Sequence, residues 1–156
     1  MVKWVVGALT LLSFYANAAV TVPGNVPVKP DPSYTIGDFC DLRDTDFDEV
    51  RYKEKVAICI RNVSWELKDF VYEKYGVPRH CRKYYTMDHY VPLFMGGSNQ
   101  AQNLWPEHKD IKATRQNLEQ DLYSQLKNGL VTQEAALHVI THAKQNPPHL
   151  VPRGCN

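Results

Sequence analysis

An excess of charge of either sign is missing from this sequence. Its 156 residues carry 18 Lys and Arg against 17 Asp and Glu, a formal net charge of +1. Net charge therefore gives no argument for a polyanionic partner. The four cysteines include no Cys-x-x-Cys pair, which leaves a four-thiolate zinc site without a framework. Repeats and low-complexity tracts are absent. With eight glycines and 44% hydrophobic residues, a collagen-like chain and a wholly disordered one are both excluded. Only one long apolar run exists, at residues 4–15. It falls well short of the roughly 20 residues that span a bilayer as a helix.

That run has the features of an address. Lys3 precedes it, and Ala16-Asn17-Ala18 follows in the small-x-small form that signal peptidase reads. Residues 1–18 are expected to be a signal peptide, cut before Ala19, which predicts a secreted or periplasmic protein with no membrane span after cleavage. Export puts Cys40, Cys59, Cys81 and Cys155 in an oxidising compartment, where an even count usually means disulfides. Three pairings are open. Cys40–Cys59 with Cys81–Cys155 is favoured, because the first closes a short loop and the second ties down the tail. Asn62-Val63-Ser64 is a glycosylation triplet that matters only in a eukaryotic secretory pathway.

Residues 19–37 hold four prolines (Pro23, Pro27, Pro30 and Pro32) and read as an extended arm. A single domain is expected over 38–146, with a tail at 147–156. It opens on an acidic stretch, 38–49, with six acids and one base. Asp44, Asp46 and Asp48 hint at a calcium loop, but the glycine and glutamate such a loop needs are missing, so a solvated acidic loop is expected. Ser64 can cap a helix with Leu67, Phe70, Val71 and Tyr75 inward, ended by Gly76 and Pro78. A short β-like run follows at 84–87, then loop or broken hairpin to Gly97. From Pro106 the period is helical, with Ile111, Leu118, Leu122 and Leu126 on one stripe as far as Gly129. Thr132 can cap a last helix with Ala136, Leu137, Ile140 and Ala143 inward, stopped by Pro147. The elements amount to a small, mostly helical α+β domain.

Chemistry concentrates in residues 85–115, YTMDHYVPLFMGGSNQAQNLWPEHKDIKATR. Phosphodiester hydrolysis needs a nucleophilic water and positive charge near the oxygens that gain negative charge. A neutral imidazole suits the first task, and a carboxylate with another ligand can hold a divalent ion for the second. Asp88, His89 and His108 offer those groups. Alone, each has a plainer reading: an ordinary Asp-His pair, turn residues at Asn99 and Asn103, a core Trp105. His138 and His142, four apart near the chain's end, read as surface histidines.

In that order and spacing, Asp88-His89, Asn103 and His108 resemble the HNH endonucleases, and the D-H-x-x-P-L, G-G-S-N and N-L-W-P pieces resemble their secreted bacterial branch. The likeness covers about residues 84–127, and it implies a ββα-metal (His-Me finger) core. By resemblance, His89 would be the general base, and Asn103 would pin the loop that orients it. Asp88 and His108 would hold one divalent ion (Mg, Mn, Zn or Ni), with Asn103 or Asn117 as alternative third ligands. Lys112 stands where the colicin nucleases carry a second histidine. Lys112 and Arg115 would contact phosphate. The implied protein is a monomeric endonuclease acting on DNA, or on RNA, with little sequence preference. The alternative is a non-catalytic DNA- or zinc-binding module of the same fold. Residues 79–115 carry six bases against three acids, so the neutral total conceals a basic segment.

Overall fold

The structure is a computed structural model that describes residues 27–150 and 152–154. The expected signal peptide, its cleavage site and Cys155 lie outside the described residues. Among those described, four α-helices and two two-stranded antiparallel sheets make a small α+β domain. No described helix is long and apolar enough to cross a membrane.

The first sheet pairs β1 (Phe47–Arg51) with β2 (Val56–Cys59). Cys40 and Cys59 are disulfide-bonded across a separation of 19 residues, as the loop argument favours. Cys81 is also disulfide-bonded. The acidic stretch is more than a solvated loop. Ser98 N donates to Asp38 O, Cys40 N donates to Gly96 O, and Phe39 bridges to Gly97, so the segment lies along the 96–99 turn.

Helix α1 (Trp65–Lys74) starts where Ser64 Oγ accepts from Leu67 N and stops before Gly76, whose positive φ reverses the chain. Val71 faces inward, whereas Phe70, expected inside, is half exposed. After a 3-10 segment, β3 (Tyr85–His89) pairs with β4 (Leu104–His108). The helical period expected from Pro106 therefore begins too early. Residues 104–108 are extended because Leu104 and Trp105 bury themselves against both sides of the hairpin, and Pro106 has no N–H to offer a helix. Helix α2 (Lys109–Ala113) and helix α3 (Leu118–Lys127) follow as two pieces. The break lies where Thr114 Oγ1 donates back to the Ile111 carbonyl. Helix α4 (Gln133–Gln145) is capped by Thr132 and buries Ala136, Ile140 and, unexpectedly, Lys144.

The register assigns the hairpin's two faces. Tyr85 opposes His108, Met87 opposes Pro106 and His89 opposes Leu104 on one face; Thr86 opposes Glu107 and Asp88 opposes Trp105 on the other. Met87 and Leu104 pack on Val71 of α1. A separate cluster of Met95, Leu122, Leu126, Ala136 and Ile140 joins α3 and α4 to the 93–95 turn.

Candidate functional site

The site is built on the end of β3 and the loop that leads to β4. Asn103 is fully buried and spans that loop: its Oδ1 accepts from Val91 N at 2.8 Å, and its Nδ2 donates to Val91 O at 3.0 Å and Ser98 O at 2.8 Å. Gly97 lets the loop close this tightly, since a Cβ there would stand 1.9 Å from Val91 O.

His89 is buried, and a different asparagine holds it. Its Nε2 lies 2.9 Å from Asn99 Oδ1. Asn99 Nδ2 in turn donates to Asp46 Oδ2 at 2.5 Å and Ile60 O at 2.8 Å. The other imidazole nitrogen, Nδ1, has no hydrogen-bond partner among the described residues. Burial pushes the His89 pKa down to about 4; the bond to Asn99 opposes this, and the Arg61 charge adds to it. The imidazole is therefore neutral at neutral pH. Sequence reasoning assigned Asn99 to a turn and the 38–49 acids to solvent. Nothing in a linear reading places Asp46 within reach of a loop 53 residues away.

Asp88 projects to the opposite face and is buried there among cations. Lys112 Nζ donates to Oδ1; Lys144 Nζ donates to Oδ2 at 2.6 Å and to His89 O at 2.6 Å; Arg115 Nη2 stands 3.8 Å away. Burial pushes the Asp88 carboxyl up, but the Lys144 and Lys112 ammonium groups outweigh it and hold the group well below the usual carboxylate range. Glu107, wholly buried beside it, pairs with Arg115 and is pushed upward by burial and by the Asp88 charge. Glu119 lies 3.3 Å from Lys144.

The pairing of Asp88 with His108 as metal ligands does not fit this geometry. The two side chains leave the hairpin on opposite faces, because His108 lies three steps along the ladder from Trp105, the residue opposite Asp88, and an odd number of steps reverses the face. Both Asp88 oxygens receive ammonium groups. His108 Nδ1 caps α2 by accepting from Asp110 N at 3.1 Å, and Nε2 lies 3.2 Å from Arg153 O. Of the alternatives, Asn103 is committed to the loop, and Asn117 is exposed at the start of α3. Cys40, Asp44 and Cys59 bring three possible ligand atoms within 4.8 Å, but the two sulfurs are bonded to each other and are not thiolates.

The expected phosphate contacts also divide. The Arg115 side chain is only 9% exposed and is tied to Glu107, so it braces the core. Lys112 keeps 40% of its side chain open beside Asp88. Arg61 follows Ile60, is exposed, and has no ion pair or hydrogen bond among the described residues. Among the described residues it is a free cation whose charge acts on His89. Trp105 is core, fully buried on the Asp88 face. Comparison of the chain with family models, curated proteins and solved structures finds no match.

Proposed function

We propose that the chain is an exported hydrolase of nucleic-acid phosphodiester bonds, with His89 as its general base. The observation that carries this reading is the state of His89. It is neutral, held at Nε2 by a side chain that is itself held by a carboxylate, and bare at Nδ1. That is the arrangement of an oriented base with a lone pair to spend on water. Arg61, whose charge acts on His89, supplies positive charge for the phosphate. The HNH likeness of residues 84–127 and the Cys40–Cys59 disulfide agree with an exported nuclease. Because the Asp88 and His108 pair does not fit a divalent ion, no step is assigned to one.

In this reading water gives up its proton to His89 Nδ1 and attacks phosphorus, the P–O bond opposite it breaks, the departing sugar oxygen takes a proton from solvent water, and Arg61 balances the charge that builds on the phosphate oxygens. The test is nicking of supercoiled plasmid by the mature, oxidised protein. His89→Ala is expected to slow nicking by roughly 10²–10⁴-fold. A variant that nicks as fast as the parent sinks the reading. The second reading, a non-catalytic nucleic-acid-binding module, is favoured by the enclosure of His89 Nδ1, which has almost no accessible surface. Salt-sensitive DNA binding without cleavage in Mg, Mn, Ni or Zn would establish it.

A further inference from the structure

We propose that Asp46 is a positioning residue: through Asn99 it dictates which nitrogen of His89 carries the proton. The argument follows a chain of donors and acceptors. A carboxylate and a backbone carbonyl oxygen can only accept. Asn99 meets one of each, Asp46 Oδ2 and Ile60 O, so the end of its amide that faces them must be the NH2 group. The other end, Oδ1, therefore points at His89 Nε2, 2.9 Å away, and an amide oxygen can only accept. Nε2 must then hold the imidazole's one proton, which leaves Nδ1 as the lone-pair nitrogen. If the amide were turned over, its NH2 would donate to Nε2 and the proton would move to Nδ1, the nitrogen that has no partner among the described residues.

Ile60 O alone favours the same orientation, but it would leave one amide proton without an acceptor. Asp46 takes that proton and makes the reversed amide doubly unfavourable, an oxygen facing two oxygens. The placement of the carboxylate is itself built in. Ile60 N donates to Asp46 O at 2.9 Å, and Ile60 adjoins Cys59, whose disulfide to Cys40 ties the acidic segment to β2. The acidic stretch thus has a chemical task, carried by one of its six acids. Its value for catalysis rests on the nuclease reading; the tautomer does not.

The experiment uses the full mature chain with ¹⁵N-labelled histidine and long-range ¹H–¹⁵N correlation spectra, which distinguish the two neutral tautomers directly. Wild type at neutral pH is expected to show His89 protonated at Nε2 and bare at Nδ1. Asp46→Ala is expected to bring in the Nδ1–H form and to lower kcat by roughly tenfold or more with KM little changed. Asp46→Asn keeps an acceptor in the same place and is expected to restore the wild-type spectrum and kcat. Asp46→Lys, which demands an acceptor from Asn99, is expected to turn the amide over and favour the Nδ1–H form. A wild-type spectrum with the proton on Nδ1 overturns the proposal, even if no variant folds. An Asp46→Ala spectrum identical to wild type overturns it as well. Failure of the nuclease reading looks different: His89→Ala nicks normally while the Nε2–H tautomer and its dependence on Asp46 persist.

Discussion

Lys144→Met tests the cationic collar around Asp88 most directly. Methionine fills a volume close to that of the lysine stem, so packing changes little and the ammonium group is what is lost. Lys144 Nζ contacts Asp88 Oδ2 at 2.6 Å, His89 O at 2.6 Å and Glu119 at 3.3 Å. Removing one partner of a buried pair costs about 3–5 kcal/mol. Lys112 still reaches the other Asp88 oxygen, so the lower end, about 3 kcal/mol, is the figure to expect. For a chain of this size that corresponds to a fall of roughly 10 °C in Tm. The pH dependence gives a second arm. In the parent the folded Asp88 pKa is depressed, so its stabilisation is present above the unfolded carboxylate pKa and is lost as pH falls through the folded value. In Lys144→Met the strongest counter-charge has gone, burial lifts the pKa, and acid neutralises the stranded carboxylate. The gap between parent and variant should be widest at neutral pH and narrow below about pH 4. Thermal and urea unfolding at both pH values measure it. A Tm loss under about 3 °C, or an equal gap at both pH values, would refute the reasoning. So would a double variant with Asp88→Asn that shows no coupling above about 0.5 kcal/mol.

Two further substitutions separate site from scaffold. Arg61→Ala is expected to leave stability within about 0.5 kcal/mol of the parent, because the side chain is exposed and pairs with nothing among the described residues. Under the proposed function it should nevertheless weaken nucleic-acid binding and reduce the slope of log K against log salt by about one, read from titrations at several salt concentrations. An unchanged slope would remove Arg61 from the phosphate contact. Gly97→Ala is expected to cost about 3 kcal/mol in urea unfolding, since its Cβ would stand 1.9 Å from Val91 O and 2.9 Å from Asn103 Nδ2. Gly76→Ala meets no atom within 4 Å and bears only the strain of a positive φ, about 1 kcal/mol. Equal costs for the two would contradict the close approach at Gly97.

Much of the scaffold is legible in the linear chain where the signal is local. Ser64 and Thr132 mark helix starts because a side-chain oxygen two or three residues ahead of a free N–H is a short-range matter. The Cys40–Cys59 loop follows from proximity in sequence. The strand over 104–108 is less legible, because its apolar residues also fit a helical stripe and only pairing with β3 makes it extended. Lys144 is the harder case. It occupies an inward position on α4 that a pattern of apolar residues does not flag, and a buried lysine becomes reasonable only once Asp88, 56 residues earlier, is known to meet it.

By itself the sequence determined where the candidate site residues cluster, in the Asp88-His89, Asn103 and His108 segment, and several of the local elements around them. Only the tertiary structure decided how those residues divide. Alternation along a two-stranded ladder sends Asp88 and His108 to opposite faces. Distant elements then choose each residue's partners: Lys112 and Lys144 for Asp88, the tail carbonyl of Arg153 for His108, and Asn99 with Asp46 for His89. Side-chain identity limits what a group can donate or accept, but which group stands within 3 Å of it is a property of the packed chain.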